Sequence, residues 1–298
     1  MTLPPRHVGI VGNREKKEAR AALPALVRWI RERGHDATVE SAFARGARGV
    51  GKGLPLRTLA GKVDALLVLG GDGTFLSAAR EASRAQVPIL GVNLGGLGFL
   101  TETAQSDLYP ALTRLFAGEV EVEQRMMVEA RVRPHGGGPV WSETALNDAV
   151  IHQADESRIV RLEIRIGATR IGTLAADGLI VATPTGSTAY SLSAGGPIVR
   201  PTIEALLATP VCPHALAYRP LLVGADETVR VRVPTGTARA RLTLDGQVSR
   251  MLAPGDEVLV RRAKARLSML SFKRESFYEV LRKKLAWAEL PSGSRARR

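Results

Sequence analysis

The chain has 298 residues, which is enough for about two domains that each bury a core. Hydrophobic residues make up 45% and charged residues 24%, as is typical of soluble globular proteins. No apolar run reaches the ~18 residues of a membrane span, and the N-terminus lacks the apolar core of a signal peptide. We therefore expect a cytoplasmic protein with no membrane partner.

Cysteine and histidine usage argues against a structural metal or a disulfide. Cys212 is the single cysteine, and the five histidines are scattered along the chain. The formal net charge is +13, and residues 261–298 hold twelve Lys or Arg residues against three acidic ones. Because aromatic residues make up only 4% of the chain, this basic segment has no stacking platform for bases. A nucleic-acid partner is unlikely on this pattern, and a solvated basic tail is the simpler interpretation.

The first elements predict an open α/β sheet. The apolar run His7-Val-Gly-Ile-Val-Gly-Asn13 is typical of a strand and turn, and apolar residues at helical spacing predict a helix over residues 15–33. Pro24 should kink that helix or mark a restart. A second strand is expected at residues 37–40, which completes a strand, helix, strand order.

Residues 46–53 partly match the P-loop pattern G-x-x-x-x-G-K at Gly46, Gly51 and Lys52. The match fails because Gly53 cannot supply the hydroxyl that binds magnesium, and Pro55 follows where a helix should run. We interpret this segment as a mobile basic loop near the phosphate-binding region.

A buried strand at residues 63–69 runs into Gly70-Gly-Asp-Gly-Thr74. Glycines at this point can take positive φ and allow a ligand close to the backbone. Their amides, followed by a helix N-terminus from about residue 74, predict an anion site that surrounds the carboxylate of Asp72. The alternative is a simple strand-to-helix turn in which Asp72 caps the helix.

A helix over residues 75–85 and a strand over residues 88–93 lead to a second glycine-rich turn at residues 94–100. Neither turn matches G-x-G-x-x-G, so a Rossmann dinucleotide fingerprint is absent. Two such turns after neighbouring strands still place a ligand at the carboxyl edge of the sheet. A helix over residues 107–118 ends this region.

The pattern changes near residue 120, where apolar and charged residues begin to alternate. This period of two recurs at residues 120–123, 127–133, 160–166, 229–233, 238–244 and 257–262. It predicts a two-layer antiparallel β domain. Residues 276–290 return to helical spacing, and their apolar face must pack somewhere, with the α/β domain as one candidate.

A second polar stretch follows the apolar strand at residues 179–182. Seven hydroxyl residues, Tyr190 among them, lie between Thr183 and Ser193. Hydroxyls and one ring at a sheet edge suit a nucleoside, although a Ser/Thr-rich turn is the plainer alternative. Asn147 and Asp148 add an amide and a carboxylate that can hold ribose hydroxyls, or form an ordinary turn.

Taken together, these motifs resemble those of bacterial NAD kinases over about residues 7–275. The resemblance rests on Gly70-Gly-Asp-Gly-Thr74, Asn93-Leu-Gly-Gly-Leu-Gly-Phe-Leu100, Asn147-Asp148, Asp177-Gly178, the long run Thr183 to Pro197, and Leu244-Asp-Gly-Gln247. The first motif is shared with lipid kinases and phosphofructokinases, whereas the long threonine-proline run is specific.

The resemblance implies an α/β open-sheet domain at residues 1–122, an all-β two-layer sandwich at residues 123–270, and a C-terminal helix and tail at residues 271–298 that return to the first domain. It implies transfer of a phosphoryl group from ATP or polyphosphate, with a divalent metal ion such as Mg²⁺ brought by the donor, to the 2′-hydroxyl of the adenosine ribose of NAD. The product is NADP, and the assembly is a homodimer or homotetramer.

Residue roles follow from the same resemblance. Asp72 is expected to be the catalytic base, and Gly70, Gly71, Gly73 and Thr74 to bind phosphate. Expected NAD contacts are Asp72, Gly73, Asn147, Asp148, Arg158, Ala175, Asp177, Thr188, Ala189, Tyr190, Ser191, Leu192, Ser193 and Gln247. Ala175 stands where some members place arginine, which leaves the choice between NAD and NADH open. The competing hypotheses are a lipid kinase and a non-catalytic sensor of NAD or polyphosphate.

Overall fold

The structure is a computed structural model that describes residues 4–94, 98–101, 103–154, 159–215, 217–235, 239–272 and 276–285. Its first part alternates strands and helices: β1 (His7–Gly12), α1 (Lys17–Glu32), β2 (Asp36–Val39), α2 (Ser41–Ala44), α3 (Leu56–Ala60), β3 (Ala65–Leu69), α4 (Asp72–Ala85), β4 (Ile89–Asn93), β5 (Thr103–Ala104), α5 (Leu108–Phe116) and β6 (Glu121–Arg125).

The second part consists mainly of strands: β7 (Val128–Arg133), β8 (Trp141–Ala145), β9 (Asp148–Gln153), β10 (Val160–Ile166), β11 (Thr169–Ala176), β12 (Gly178–Ala182), the one-turn helix α6 (Tyr190–Ser193), β13 (Ala205–Val211), β14 (Leu221–Gly224), β15 (Thr228–Arg232), β16 (Ala240–Leu244), β17 (Val248–Leu252) and β18 (Glu257–Arg262). The chain then forms β19 (Leu267–Ser271) and α7 (Phe277–Leu285).

The first sheet has the order β2-β1-β3-β4-β19-β6, with β5 paired to β4. Its β1, β2, β3, β4 and β5 pairings are parallel, as is the pairing of β4 with β19, and β6 is antiparallel to β19. Strand β3 is buried along its whole length because helices cover both faces of the sheet. This arrangement confirms the predicted α/β open sheet.

The sandwich has two antiparallel sheets with the orders β11-β10-β15-β18-β7-β8 and β14-β13-β12-β9-β16-β17. Inward apolar side chains from both sheets form one core. Alternation along β10 is regular, with Val160, Leu162 and Ile164 buried between charged neighbours. The predicted two-layer β domain is therefore confirmed.

Two strands belong to the α/β sheet although most of their residues fall within the predicted limits of the β domain, 123–270. Strands β6 and β19 pair with each other in register from Arg125 with Leu267 to Glu121 with Ser271. They pass through the predicted limits at residues 122 and 270, so the chain enters and leaves the sandwich by adjacent strands of the first sheet. The domain limits themselves stay a prediction.

Two local expectations for the first domain can be compared with the observed helices. Helix α1 continues through Pro24, with Leu23, Leu26 and Ile30 buried, so Pro24 does not mark a restart of the helix. Residues 46–53 do not open a helix, since α3 begins only after Pro55.

In helix α7, Val280 and Leu281 are buried, and the ammonium of Lys284 lies 3.9 Å from the ring centre of Phe99. The C-terminal helix therefore packs on the first domain as predicted; residues 286–298 lie outside the described residues.

Candidate functional site

The turn after β3 leads directly into helix α4. This helix begins at Asp72, and its N-cap is Gly71, which supplies no side-chain cap. Gly71 has φ of −95°, so the expectation of a positive φ is wrong for this glycine. A Cβ at Gly70 would lie 2.7 Å from Oγ1 of Thr74, whereas the same positions at Gly71 and Gly73 face open space. Glycine here gives room for a close approach.

The carboxylate of Asp72 joins the two glycine turns. Its oxygens accept the backbone N–H of Phe99 at 3.0 Å and of Leu100 at 3.2 Å. A side chain at Gly98 would overlap Asp72 and Thr101, which explains glycine at that position. Asp72 is thus held at the carboxyl edge of the sheet, and residues 95–97 of the second turn lie outside the described residues.

A cavity of about 620 Å³ lies beside the first turn. It is lined by Val11, Gly12, Asn13, Arg14, Glu15, Lys16, Glu40, Ala42, Leu56, Gly71, Gly73, Thr74, Ser77 and Gln247. The opening turn of α4 borders it, and helix N-termini favour anions because their first N–H groups lack helical partners. We call this cavity the donor pocket.

A second cavity of about 580 Å³ lies in the sandwich. It is lined by Asn147, Asp148, Val150, His152, Gln153, Asp177, Ala189, Tyr190, Val211, Thr243, Asp245 and Gly246. Five predicted NAD contacts, from three separate segments, therefore meet here. We call this cavity the acceptor pocket.

Asp245 fixes the backbone of this pocket. Its carboxylate accepts N–H bonds from Leu146 at 2.9 Å, Asn147 at 2.7 Å and Asp148 at 3.3 Å. Burial raises the pKa of Asp245, and these bonds oppose the shift by stabilising the carboxylate. Burial, and then the charge of Asp245, raise the pKa of Asp148 to about 7. A proton therefore stays on Asp148 well above the usual aspartate range.

The hydroxyl-rich run is used largely for its own architecture. Thr183 donates to the carbonyl of Leu146 at 2.6 Å, and Ser191 lies 2.9 Å from the hydroxyl of Thr209 in the interior. Tyr190 differs, since it is 47% exposed and lines the acceptor pocket. Burial and the charges of Cys212, Asp177 and Asp148 raise the pKa of its phenol, which keeps it protonated.

The remaining predicted contacts are more dispersed. Thr188 lines a third cavity of about 650 Å³ beside α7, and Leu192 and Ser193 end helix α6. The backbone carbonyl of Ala175 accepts the N–H of His214 at 3.0 Å. Gln247 lines the donor pocket. Arg158 lies outside the described residues, and all of these roles stay predictions.

Sequence reasoning missed His152 and Thr243, which are among the residues that line the acceptor pocket, and a role for Asp245. His152 contacts the carbonyl of Gln153 at 2.8 Å and the hydroxyl of Thr243 at 3.1 Å. Burial lowers the pKa of His152, and Arg241 adds to the effect. Nothing in the strand alternation marks His152, whereas the Asp-Gly pair after β16 was a visible turn signal.

Within the described ranges, no helix is both long and apolar enough to cross a bilayer. The glycine turn that carries Asp72 borders one polar cavity, and a second polar cavity lies in the sandwich, an arrangement typical of an enzyme that transfers a group between two ligands. Comparisons make the class specific. The model of the ATP-NAD kinase N-terminal domain matches residues 8–120, and that of the ATP-NAD kinase C-terminal domain matches residues 146–272.

Relatives agree over nearly the whole chain. The NAD kinase of Heliobacterium modesticaldum is 44% identical over 279 residues, covering 93% of this chain and 98% of the relative. That of Magnetococcus marinus is 41% identical over 285 residues, covering 95% and 94%. The chain therefore belongs to the NAD kinase family, whose members are transferases.

Two crystal structures share the fold. Yeast NADH kinase complexed with NADH gives a TM-score of 0.90 at 24% identity, covering 98% of this chain and 91% of that one. An NAD kinase from Archaeoglobus fulgidus in complex with ATP gives 0.74 at 21% identity, covering 94% and 97%.

The buried pair predicts a pH dependence of stability. The pKa of Asp148 is about 7 in the folded protein and 3.8 in the reference state. Protonation of Asp148 therefore stabilises the folded protein fully below pH ~4, and this stabilisation is lost as the pH rises through 7. At roughly 1.4 kcal/mol per unit, the unfolding free energy should fall by about 2 to 3 kcal/mol between pH 5 and pH 8. Asp148→Asn should flatten this fall in urea titrations.

The matched control is Asp226→Asn, which changes an exposed aspartate of the same domain. It should keep the wild-type pH dependence. If Asp148→Asn loses as much stability as the wild type over this range, then Asp148 does not hold the proton.

Proposed function

We propose that the chain binds NAD in the acceptor pocket and the phosphoryl donor in the donor pocket, and that Asp72 is the base. As a member of the NAD kinase family, it phosphorylates NAD to NADP. One observation carries the assignment of the pockets: Gly246 lines the acceptor pocket and the next residue, Gln247, lines the donor pocket. The two ligands therefore meet at a single turn beside Asp72.

The reaction joins the ribose 2′-oxygen to the terminal phosphorus of the donor and breaks the bond from that phosphorus to its bridging oxygen. The hydroxyl proton passes to the carboxylate of Asp72. The bonds from Phe99 and Leu100 leave lone pairs free on that carboxylate, so it can be held in place and still accept a proton.

The donor phosphates suit the pocket on two counts. Arg14 and Lys16 line it, and the N-terminus of α4 adds partial positive charge at Gly71 and Gly73. Phosphoryl transfer depends on such positioning and charge neutralisation. Triphosphate and polyphosphate share this chemistry, so both are candidates as donor.

A divalent ion such as Mg²⁺ would enter with the donor. Among the described residues, no group of three His, Cys, Asp or Glu side chains is placed to hold a metal. This fits Mg²⁺, which keeps several waters and is usually bound by one or two carboxylates together with substrate phosphates. Asp72 is the carboxylate at the turn, and the ion would neutralise phosphate charge during transfer.

A homodimer or homotetramer, acting in the cytoplasm, completes the proposal. The sandwich supports self-association because β14 is an edge strand that exposes Leu221 at 45% and Leu222 at 60%. Exposed apolar edge strands are templates for pairing with another chain.

The test of the donor is NADP formation from NAD with Mg²⁺, run in parallel with ATP and with polyphosphate. We expect turnover with at least one donor, and the rates of NADP formation with ATP and with polyphosphate identify which donor the enzyme uses. No product with either donor, from protein that binds NAD, would favour the non-catalytic sensor. Phosphorylation of a lipid in place of NAD would favour the lipid kinase.

Asp72→Asn should lower kcat by about 10² to 10⁴ and leave the Kd for NAD largely unchanged, because the variant loses the proton acceptor. The matched control is Asp64→Asn. Asp64 also accepts two backbone N–H groups, from Arg6 and His7, but it precedes β3 rather than following it. Near-normal turnover of Asp72→Asn would show that Asp72 is not the base.

Tyr190→Ala should weaken NAD binding about tenfold, and Tyr190→Phe should weaken it less, because the ring supplies most of the contact. Tyr109 is similarly exposed, at 37%, but packs on Trp29 in the first domain. Tyr109→Ala should therefore leave the Kd unchanged in calorimetry. An unaltered Kd for Tyr190→Ala would place the nucleoside elsewhere.

A further inference from the structure

Helix α4 presents one face to the sandwich. Ser77, Arg80 and Arg84 lie three and four residues apart, which places them along one side of the helix. Ser77 and Arg80 contact the turn between β16 and β17, and Arg84 forms an ion pair with Glu143 of β8. The helix that begins with Asp72 is thus also a direct bridge to the NAD-binding domain.

Arg80 is a buried charge at this bridge. It is 9% exposed, and its guanidinium donates to Oε1 of Gln247 at 3.3 Å, while its Nε has no partner among the described residues. Ser77 donates to the same oxygen at 3.0 Å. The amide nitrogen of Gln247 donates to the carbonyl of Gly73 at 2.7 Å. All of these bonds connect the turn to the first three turns of α4.

The same turn holds the acceptor pocket from its other side. Asp245 and Gly246 both have positive φ, 49° and 66°, and Gln247 donates its N–H to the carbonyl of Leu244 at 2.9 Å. These features are those of a tight type I′ turn, which has little freedom to deform. Since the carboxylate of Asp245 accepts the backbone N–H groups of Asn147 and Asp148, a displacement of the turn also displaces these pocket residues.

We propose that Arg80 is a positioning residue for phosphoryl transfer, which holds the Asp245–Gln247 turn on α4 and so sets the distance between Asp72 and the acceptor ribose. The inference rests on the proposed function. The residues that line the acceptor pocket come from the sandwich, so they determine the affinity for NAD. Arg80 does not line this pocket, and it affects where the bound NAD lies relative to Asp72.

The expected effect follows from geometry. Reacting atoms must lie about 3 to 3.5 Å apart, and a misplacement of about 1 Å can lower the rate ~100-fold. Arg80→Met should therefore lower kcat by about 10- to 100-fold, while the Kd for NAD from calorimetry changes by less than about twofold. Arg80→Lys keeps the charge and one donor and should recover much of kcat.

The matched control is Arg84→Met, one turn further along the same helix face. Arg84 is 35% exposed and forms ion pairs with Glu81 and Glu143, so its loss weakens the contact between domains without touching the turn. It should leave kcat near the wild-type value. An equal loss in both variants would show that Arg80 acts only through general domain contact, and would overturn the proposal.

Gln247→Met covers the case in which Arg80→Met does not fold. Gln247 is at an exposed turn and is also an expected NAD contact, so its loss should lower kcat and can also raise the Kd for NAD; the proposal is tested by its coupling to Arg80 in kcat. The double variant should be no slower than the slower single variant, because both act through one bridge. Normal kcat in either single variant, or multiplied losses in the double, would overturn the proposal. Wild-type turnover is the separate test of the proposed function.

Discussion

The acceptor pocket depends on the hydrogen bonds that the carboxylate of Asp245 accepts from the backbone. One side chain accepts three consecutive backbone N–H groups, at Leu146, Asn147 and Asp148, and so replaces the strand pairing that the chain lacks before β9. A buried carboxylate is tolerated only when hydrogen bonds compensate the lost hydration. Those bonds oppose the rise in pKa that burial causes at Asp245, and they hold the backbone of the acceptor pocket in place.

These hydrogen bonds have an electrostatic consequence for the pocket. Burial raises the pKa of both carboxyl groups. Hydrogen bonds oppose this shift at Asp245, whereas the charge of Asp245 adds to it at Asp148, so Asp148 retains the proton. A protonated carboxyl can donate as well as accept a hydrogen bond. The pocket therefore contains a hydrogen-bond donor at Asp148, which is compatible with the ribose that we propose to bind there.

How far the sequence could predict this structure depends on the range of the contacts. Strands β3 and β10 and helix α4 follow from local apolar patterns, and the glycine turns mark the site because only glycine leaves such space. Residues 120–123 alternate like a sandwich strand, and β6 joins the first sheet only through β19, which itself pairs with β4. Periodicity reports how a strand is buried, and it carries no information about which partner buries it.

The same reasoning separates the candidate residues. Asp72 was visible because a carboxylate among glycines has few structural uses, and Tyr190 because it is the single ring in a hydroxyl-rich run. Arg80 was invisible, since an arginine on a helix is most often solvated, and its burial depends on Gln247, far away in the chain. Helix α4 links these two kinds of residue, because its first turn carries Asp72 and its third turn meets the sandwich. A single helix thereby relates the proposed base to the domain that contains the acceptor pocket.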